Sequence, residues 1–111
     1  MSHPRFSLFR GSRGYFYFNL TAKNGQVVLA SEGYKSKAGA KNGIKSVKAC
    51  SKRKTMYERK TAKNGKYYFL LTSPNGQTVG KSQMYGSASG RANGIRSVTA
   101  NAGRARIYED A

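Results

Sequence analysis

The sequence predicts an α+β fold in which two tandem β-β-β-α-β repeats form one antiparallel sheet with both helices on one face. Three observations predict it: an internal repeat, short segments of alternating apolar residues that end at turn residues, and a change to helical spacing late in each repeat. With 111 residues, the chain has the size of one ordinary domain. We therefore expect residues 1–111 to fold as a single domain of two repeats, at about 6–56 and 57–110.

The repeat is evident when the sequence is slid along itself by 51 positions, which aligns residues 6–59 with residues 57–110 without a gap. About two positions in five are then identical. The longest matching blocks are "YFNLTAKNGQVVLAS" (17–31) and "YFLLTSPNGQTVGKS" (68–82). The aligned segments overlap at 57–59, which therefore correspond both to the end of the first repeat and to the start of the second. We expect one strand here that serves both repeats.

Each repeat begins with predicted strands. Phe16, Phe18 and Leu20 alternate with residues that point the other way, which is the period-two pattern of a half-buried strand, and the second repeat shows the same alternation. The runs at 6–10 and 57–61 predict a strand before it, and an Asn-Gly pair between alternating runs is a strong hairpin signal. The predicted turns lie at Gly14, Asn24-Gly25, Gly65 and Asn75-Gly76.

The spacing changes to a helical one in the second part of each repeat. Ser36 and Ser87 are typical N-cap residues, and apolar residues follow each of them at near-helical intervals. We expect helices near 37–50 and 88–101. The segments "TMYER" and "ARIYED" that follow are expected to be the final strands.

An Asn-Gly pair interrupts each predicted helix, at Asn42-Gly43 and at Asn93-Gly94. A glycine inside a helix costs about 1 kcal/mol relative to alanine. Because a bare glycine lets another group approach closely, we expect the helices to touch each other or the sheet at these positions. Tyr34 and Tyr85 precede the two helices at equivalent positions and are expected to be structural anchors.

The tandem arrangement, the length and the repeated "NG(Q)…S…Y" and "NGI(K/R)SV" blocks resemble the YegP-like family. The resemblance covers nearly the whole chain. It implies a single antiparallel sheet built from both repeats, with the helices on one face and the C-terminal strands exchanged between the repeats. It carries no catalytic residues over to this chain, and the chain departs from the family in being far more basic.

The charge is strongly unbalanced, with 21 Lys and Arg residues against four acidic residues and a formal net charge of +17. Solubility needs a net charge of only about 2–8 in magnitude, and a surplus of this size attracts polyanions. The excess is larger in the first part, since residues 1–55 carry 12 cations and one acid while residues 56–111 carry nine cations and three acids. Nucleic acid is therefore the expected partner.

Few residues are suited to catalysis. The single Cys50 and the single His3 exclude an internal disulfide and cannot supply a tetrahedral metal site. Glu58 and Glu109 occupy equivalent positions, and we favour bonds to neighbouring lysines over a pair of catalytic carboxylates. We likewise favour a small, partly buried Cys50 over a nucleophile. The sequence thus predicts a protein that is not an enzyme and has no cofactor, metal or small-molecule substrate.

The cysteine content fits the cytoplasm. The longest apolar run is far shorter than the roughly 20 residues that a membrane span needs. We therefore expect a cytoplasmic protein with no membrane partner, either a monomer or a weak homodimer.

The first predicted helix carries a cationic stripe. At about 100° per residue its lysines fall within an arc of roughly 80°, beside the apolar arc. We call these residues the lysine stripe: Lys37, Lys41, Lys45, Lys48 and Lys52. Positive charge continues past the helix end, where it suits the helix dipole, and two arginines remain on the second helix. These further predicted phosphate contacts are Arg53, Lys54, Arg91 and Arg96.

The second candidate surface is the sheet face opposite the helices. If the phenylalanines of the strands face the helices, the alternation sends tyrosines outward. These are Tyr15, Tyr17 and Tyr68, with Lys66 beside them. Exposed aromatic rings with nearby cations are typical of proteins that stack unpaired bases. The alternative is that the tyrosines simply cover the sheet or become buried in a homodimer.

The first functional hypothesis is a non-catalytic protein that binds nucleic acid largely without sequence specificity. RNA is favoured over DNA because of the tyrosines and because no helix-turn-helix, zinc or basic-zipper pattern is present. A place on a ribonucleoprotein such as the ribosome would suit a small basic protein. The alternative hypothesis is a structural or regulatory module that binds an acidic protein partner or itself.

Overall fold

The strands and helices lie close to where the sequence places them. The computed structural model describes residues 3–109. The first repeat forms β1 (Arg5–Arg10), β2 (Phe16–Thr21), β3 (Val27–Ala30) and α1 (Lys37–Cys50). The second repeat forms β4 (Tyr57–Thr61), β5 (Tyr67–Thr72), β6 (Thr78–Lys81), α2 (Ala88–Asn101) and β7 (Arg106–Glu109). Both helices have the bounds that the sequence predicts.

The strands form one sheet in the order β4-β5-β6-β3-β2-β1-β7. The pairing of Ala30 with Lys81 joins the two repeats at its centre. Neighbouring strands are antiparallel except β7, which runs parallel to β1. The expectation of a wholly antiparallel sheet is therefore wrong at this one pair. β7 reaches β1 through the helical crossover of α2, and a crossover permits the parallel pairing that a hairpin cannot make.

The C-terminal strands are exchanged between the repeats, as the resemblance implies. β7 ends the second repeat but pairs with β1 of the first. β4, which corresponds to the end of the first repeat and to the start of the second, pairs with β5. Because β4 fills both roles, the sheet has one strand more on the side of the first repeat. β4 is one edge of the sheet and β7 is the other.

Both helices pack on the same face of the sheet. α1 contacts β2, β5 and β6, while α2 contacts β3 and β5. The predicted alternation holds, because Phe18 and Leu20 of β2 and Phe69 and Leu71 of β5 are fully buried. Burying a side chain of this size contributes about 1.5–3 kcal/mol. The other fully buried large apolar side chains are Phe6, Leu8, Leu29, Ile44, Val47 and Val98.

The predicted helix caps and turns are present. The hydroxyl oxygens of Ser36 and Ser87 each accept the N–H of the residue three positions later, at 3.0 Å, which satisfies one of the free donors of a helix N-terminus. Gly25 and Gly76 have φ values of +89° and +86°. This conformation strains other residues, which explains the glycine at these turns.

The glycine inside α1 makes room for a tyrosine. The Tyr34 ring stacks on Phe18 of β2 with 6.1 Å between centroids, and lies between this strand and α1. A Cβ atom on Gly43 would lie 2.7 Å from Tyr34 Cζ and 3.0 Å from Phe18 Cε2. Burial raises the pKa of Tyr34 above its ordinary value, with a smaller contribution from the charge of Glu32. The expected contact between helix and sheet is thus made through the tyrosine ring.

The second repeat makes the same contact. The Tyr85 ring stacks on Phe69 with 6.4 Å between centroids. A Cβ atom on Gly94 would lie 2.6 Å from Tyr85 Cζ. The cost of glycine inside each helix is therefore offset by close packing, and Tyr34 and Tyr85 are structural anchors, as the sequence predicts.

We expect Gly43→Ala to lower the free energy of unfolding by about 1–2 kcal/mol. Overpacking costs about 1–3 kcal/mol, which outweighs the gain of about 1 kcal/mol in helix propensity. Urea denaturation measures the difference. Tyr34→Phe removes the hydroxyl nearest to the new methyl group, so the double variant should lose less than the sum of the single losses. Stabilisation by Gly43→Ala would contradict this account of the packing.

Candidate nucleic-acid interface

Exposed cations gather at the C-terminal end of α1. Lys45 is exposed in the C-terminal half of α1, and Lys52, Arg53 and Lys54 are exposed just after its end. A groove opens between this end of α1, β4 and α2, and four basic residues line it. We call them the cationic rim: Lys52, Lys54, Arg59 and Arg96. None of the described residues that line the groove is acidic. The structure thus brings together three predicted residues from separate elements and adds Arg59.

Arg59 is a site residue that the sequence analysis missed. It lies on β4 two positions after the buried Tyr57. Residues two apart in a strand point to the same face, so Arg59 projects to the helix side at the edge of the sheet. The period-two pattern of β4 could have placed Arg59 on the same face as Tyr57 from the sequence alone.

The floor of the groove is mainly apolar. The groove has a volume of about 620 Å³; Tyr57, Ala92 and Ile95 form its buried or half-buried floor, and the exposed Thr99 and Ala100 complete the lining. The Tyr57 hydroxyl donates to the carbonyl oxygen of Ser51 at 2.8 Å and lies 3.1 Å from Thr99 Oγ1. These contacts tie α1, β4 and α2 together. Burial is the main cause that raises the pKa of Tyr57 above its ordinary value, so its hydroxyl remains a donor at neutral pH.

The other part of the lysine stripe makes contacts within the protein. Lys37 and Lys41 form ion pairs with Glu109 of β7, at 3.3 and 2.7 Å. Hydrogen bonds from Lys41 and Lys37 lower the pKa of the Glu109 carboxyl below its ordinary value. Lys48 Nζ donates to the carbonyl oxygen of Ala105 at 2.9 Å. The stripe therefore divides into an intramolecular part and an exposed part that continues into the cationic rim.

The two arginines of α2 have different surroundings. Arg96 lines the groove, and its guanidinium donates to the side chain of Asn93. Arg91 Nη1 donates to the carbonyl oxygen of Lys60 at 2.9 Å, and its guanidinium lies 5.1 Å from the centroid of the Tyr67 ring. Arg91 therefore holds α2 against β4 and β5, whereas Arg96 belongs to the groove.

On the opposite sheet face, the tyrosines of the first repeat are partly covered by their own neighbours. Tyr17 stacks on Phe9 of β1 with 5.8 Å between centroids. Its ring passes close to Gly11 and Gly33, where an added Cβ would lie 2.8 and 3.2 Å from ring atoms. Tyr15 is exposed but also lies against Gly33. One face of the Tyr17 ring is thus already used in packing.

Tyr68 and Lys66 lie in the second repeat, on either side of the start of β5. Tyr68 is half-buried on the strand, and the Lys81 ammonium lies 5.0 Å from its ring centroid. Lys66 is exposed in the preceding turn, where its N–H donates to Asn64 Oδ1 at 3.0 Å. The sheet face therefore has a Phe9–Tyr17 stack in the first repeat and a Tyr68 ring with a nearby cation in the second, whereas four basic residues line one groove on the helix side.

The residues that first invited a catalytic interpretation lie apart. Glu58 forms an ion pair with Lys60 at 3.5 Å, and it lies on the opposite edge strand from Glu109. The prediction that these glutamates bond neighbouring lysines is confirmed. Cys50 is buried. Between residues 3 and 109, no three His, Cys, Asp or Glu side chains cluster as metal ligands would, and no helix is long and apolar enough to cross a bilayer.

Residues 12–58 and 62–109 each match a family described as "Domain of unknown function (DUF1508)". The chain belongs to this family. It is 50% identical over 96 residues to the UPF0339 protein YegP of Shigella flexneri, a match that covers 86% of this chain and 87% of the relative. A UPF0339 protein of Stutzerimonas stutzeri is 44% identical over 104 residues, 94% of each chain. The resemblance drawn from the repeated sequence blocks is confirmed.

Solved structures of DUF1508 relatives have the same fold. The solution NMR structure of yegP from E. coli superposes with a TM-score of 0.93 at 43% identity and covers 99% of this chain and 95% of its own. A UPF0339 protein of Shewanella oneidensis gives a TM-score of 0.90 at 44% identity, covering 98% and 92%. The two-repeat α+β architecture is therefore shared across these relatives.

We expect acid to remove the contribution of the Glu109 ion pairs to stability. Because the pKa of this carboxyl is lower in the folded protein, the contribution is fully present above the unfolded pKa, about 4.3, and is lost as the pH falls through the folded value. The difference in unfolding free energy between the wild type and Glu109→Gln should therefore shrink between about pH 6 and pH 3. Urea denaturation at several pH values measures it. A difference that stays constant over this range would contradict the ion-pair account.

Proposed function

We propose that this protein is a non-catalytic nucleic-acid-binding protein that contacts phosphates through the cationic rim and the exposed lysines beside it. One observation carries the proposal: four basic side chains, two from the segment between α1 and β4, one from β4 and one from α2, surround one groove, and no described acidic residue lines it. Like charges held close together repel one another, and this cost is recovered when a polyanion neutralises them.

The distribution of ion pairs supports the same surface. Among residues 3–109, Lys37 and Lys41 form ion pairs with Glu109 on β7, and Lys60 forms one with Glu58 on β4. The cations at the rim lie away from Glu109, which sits on the far edge strand from Arg59. The rim cations are therefore available to neutralise a phosphate backbone, and the release of the cations condensed on that backbone favours binding.

RNA is the favoured ligand, and the cytoplasm is the proposed location. Lys and Arg contacts to phosphates position a nucleic acid without reading its sequence. Within residues 3–109, the fold presents neither a recognition helix of a helix-turn-helix nor a zinc module for the major groove. A small basic protein of this kind would suit a ribonucleoprotein.

The alternative proposal is an acidic protein partner. The same rim attracts aspartate and glutamate side chains, and the half-exposed rings of Tyr17 and Tyr68 offer apolar area on the sheet face. An acidic peptide would bind with weaker salt dependence than a nucleic acid, since it lacks the condensed counterions of a phosphate backbone.

We expect the triple variant Lys52→Gln, Lys54→Gln, Arg96→Gln to bind a single-stranded RNA more weakly and with a shallower salt dependence. Each lost phosphate contact on a single strand lowers the slope of log K against log salt by about 0.7. The slope should therefore fall by about two units. Fluorescence anisotropy across a salt series measures it.

A matched control removes the same charge elsewhere. Arg13, Lys35 and Lys63 are exposed between the strands and helices, outside the groove, and their replacement by Gln should lower the slope by less than one unit. Equal losses in both triple variants would mean that binding follows net charge alone, and would contradict an interface at the rim.

The contribution of the lysine stripe can be tested by removing its counter-charge. Glu109→Gln removes a negative charge beside Lys37 and Lys41, so we expect tighter RNA binding and a slope steeper by about one unit. Glu58→Gln adds the same charge at the opposite edge of the sheet and should have a smaller effect. The comparison uses the same anisotropy titration. If Glu109→Gln and Glu58→Gln change the affinity and the salt slope equally, the lysine stripe is not part of the interface.

A further inference from the structure

The two repeats differ at the place where the groove opens. The sequence offset of 51 places Lys41 and Lys48 of α1 opposite Ala92 and Thr99 of α2. Lys48 crosses from α1 to the carbonyl oxygen of Ala105 and lies 5.9 Å from the ring centroid of Phe6. Phe6 corresponds to Tyr57 of the second repeat. The first repeat thus has the Lys48 side chain beside this aromatic ring.

In the second repeat the same space is open. Ala92 and Thr99 lack the long side chains of Lys41 and Lys48, and they line the groove together with Tyr57. The polar atoms at the floor bond one another, because Thr99 Oγ1 lies within 3.1 Å of the Tyr57 hydroxyl and of the carbonyl oxygen of Ser51. The floor therefore offers mainly apolar surface, while charge is confined to the rim.

An apolar floor below a ring of cations fits a ligand with a flat apolar part joined to an anionic part. A nucleotide has this chemistry, since its base can be buried while its phosphate stays at the surface. An acidic peptide has the anionic groups but leaves the floor unfilled. A duplex keeps its bases stacked and paired, so it can reach only the rim.

We infer that the groove receives one unstacked base of a single-stranded nucleic acid, with the flanking phosphates on the cationic rim. This inference rests on the proposed function and adds a preference for single strands. The base lies against Tyr57, Ala92 and Ile95, and Arg59 and Arg96 contact the phosphates on either side of it. The volume of about 620 Å³ is sufficient for one nucleotide in a typical ligand site.

The test fills the groove without changing its charge. Ala92→Leu places a larger side chain on the floor of the groove. Ala100→Leu adds the same bulk about two turns further along α2, where Ala100 also lines the groove. The control is Ala88→Leu, at the exposed first residue of α2. Side chains on a helix lean towards its N-terminus, so a leucine at position 88 points away from the groove. Thermal unfolding of each variant verifies that it remains folded.

Each protein is titrated with a uridine 12-mer and with a 12-mer of the same backbone that lacks bases. We expect the wild type and Ala88→Leu to bind the uridine strand at least about fivefold more tightly than the abasic strand. Ala92→Leu and Ala100→Leu should reduce this ratio towards one and leave abasic binding and the salt slope unchanged.

The other outcomes separate the two proposals. Equal binding of both strands by the wild type would overturn the groove inference and leave phosphate binding in place. If Ala92→Leu and Ala100→Leu both keep the preference for the uridine strand over the abasic strand, the groove inference is also overturned, because the base then binds elsewhere. Failure to bind either strand near physiological salt would overturn the proposed function itself. A glutamate 12-mer that competes as well as the uridine strand would assign the rim to an acidic protein partner.

Discussion

The contact between a tyrosine ring and a bare helix glycine fixes the relation of helix to sheet in both repeats. Tyr34 packs against Gly43, and Tyr85 packs against Gly94, with no space for a methyl group on either glycine. Each tyrosine ring also stacks on a buried phenylalanine of the sheet. Since the helices have little freedom to slide, the residues at their C-terminal ends have fixed positions. The cationic rim and the floor of the groove are set by this constraint.

The sharing of β4 by both repeats makes the two halves of the protein unequal. Only the first repeat gains an additional neighbour, because β7 pairs with β1. β7 brings Glu109 within reach of Lys37 and Lys41, which neutralises part of the stripe on α1. On the other side β4 remains an edge strand, so the space beside Tyr57 is left open below α2. The sharing of β4 thus explains both the neutralised lysines on α1 and the open groove beside α2.

The fold was largely predictable because its signals are local. Each signal depends on a few neighbouring residues: the alternation of apolar residues, the caps at Ser36 and Ser87, and the Asn-Gly turns. Because the sequence is repeated, each signal occurs twice. The direction of β7 was not predictable in this way, because it depends on the path of α2 across the sheet. Which lysines bond Glu109, and which residues lie beside Arg59 at the groove, could not be identified from the sequence for the same reason. Both depend on a strand and a helix that are distant in sequence and adjacent only in the folded protein, β7 with α1 in one case and β4 with α2 in the other.

The measurement that tests the central claim most directly is the affinity of the unmodified protein for single-stranded RNA, duplex RNA and duplex DNA across a salt series. The account predicts submicromolar binding to single-stranded RNA that persists near physiological ionic strength and exceeds binding to both duplexes, because only the single strand can use the floor of the groove as well as its rim. Weak binding of all three that disappears as salt is raised would contradict it, and would show that the charge of +17 attracts polyanions without a dedicated site.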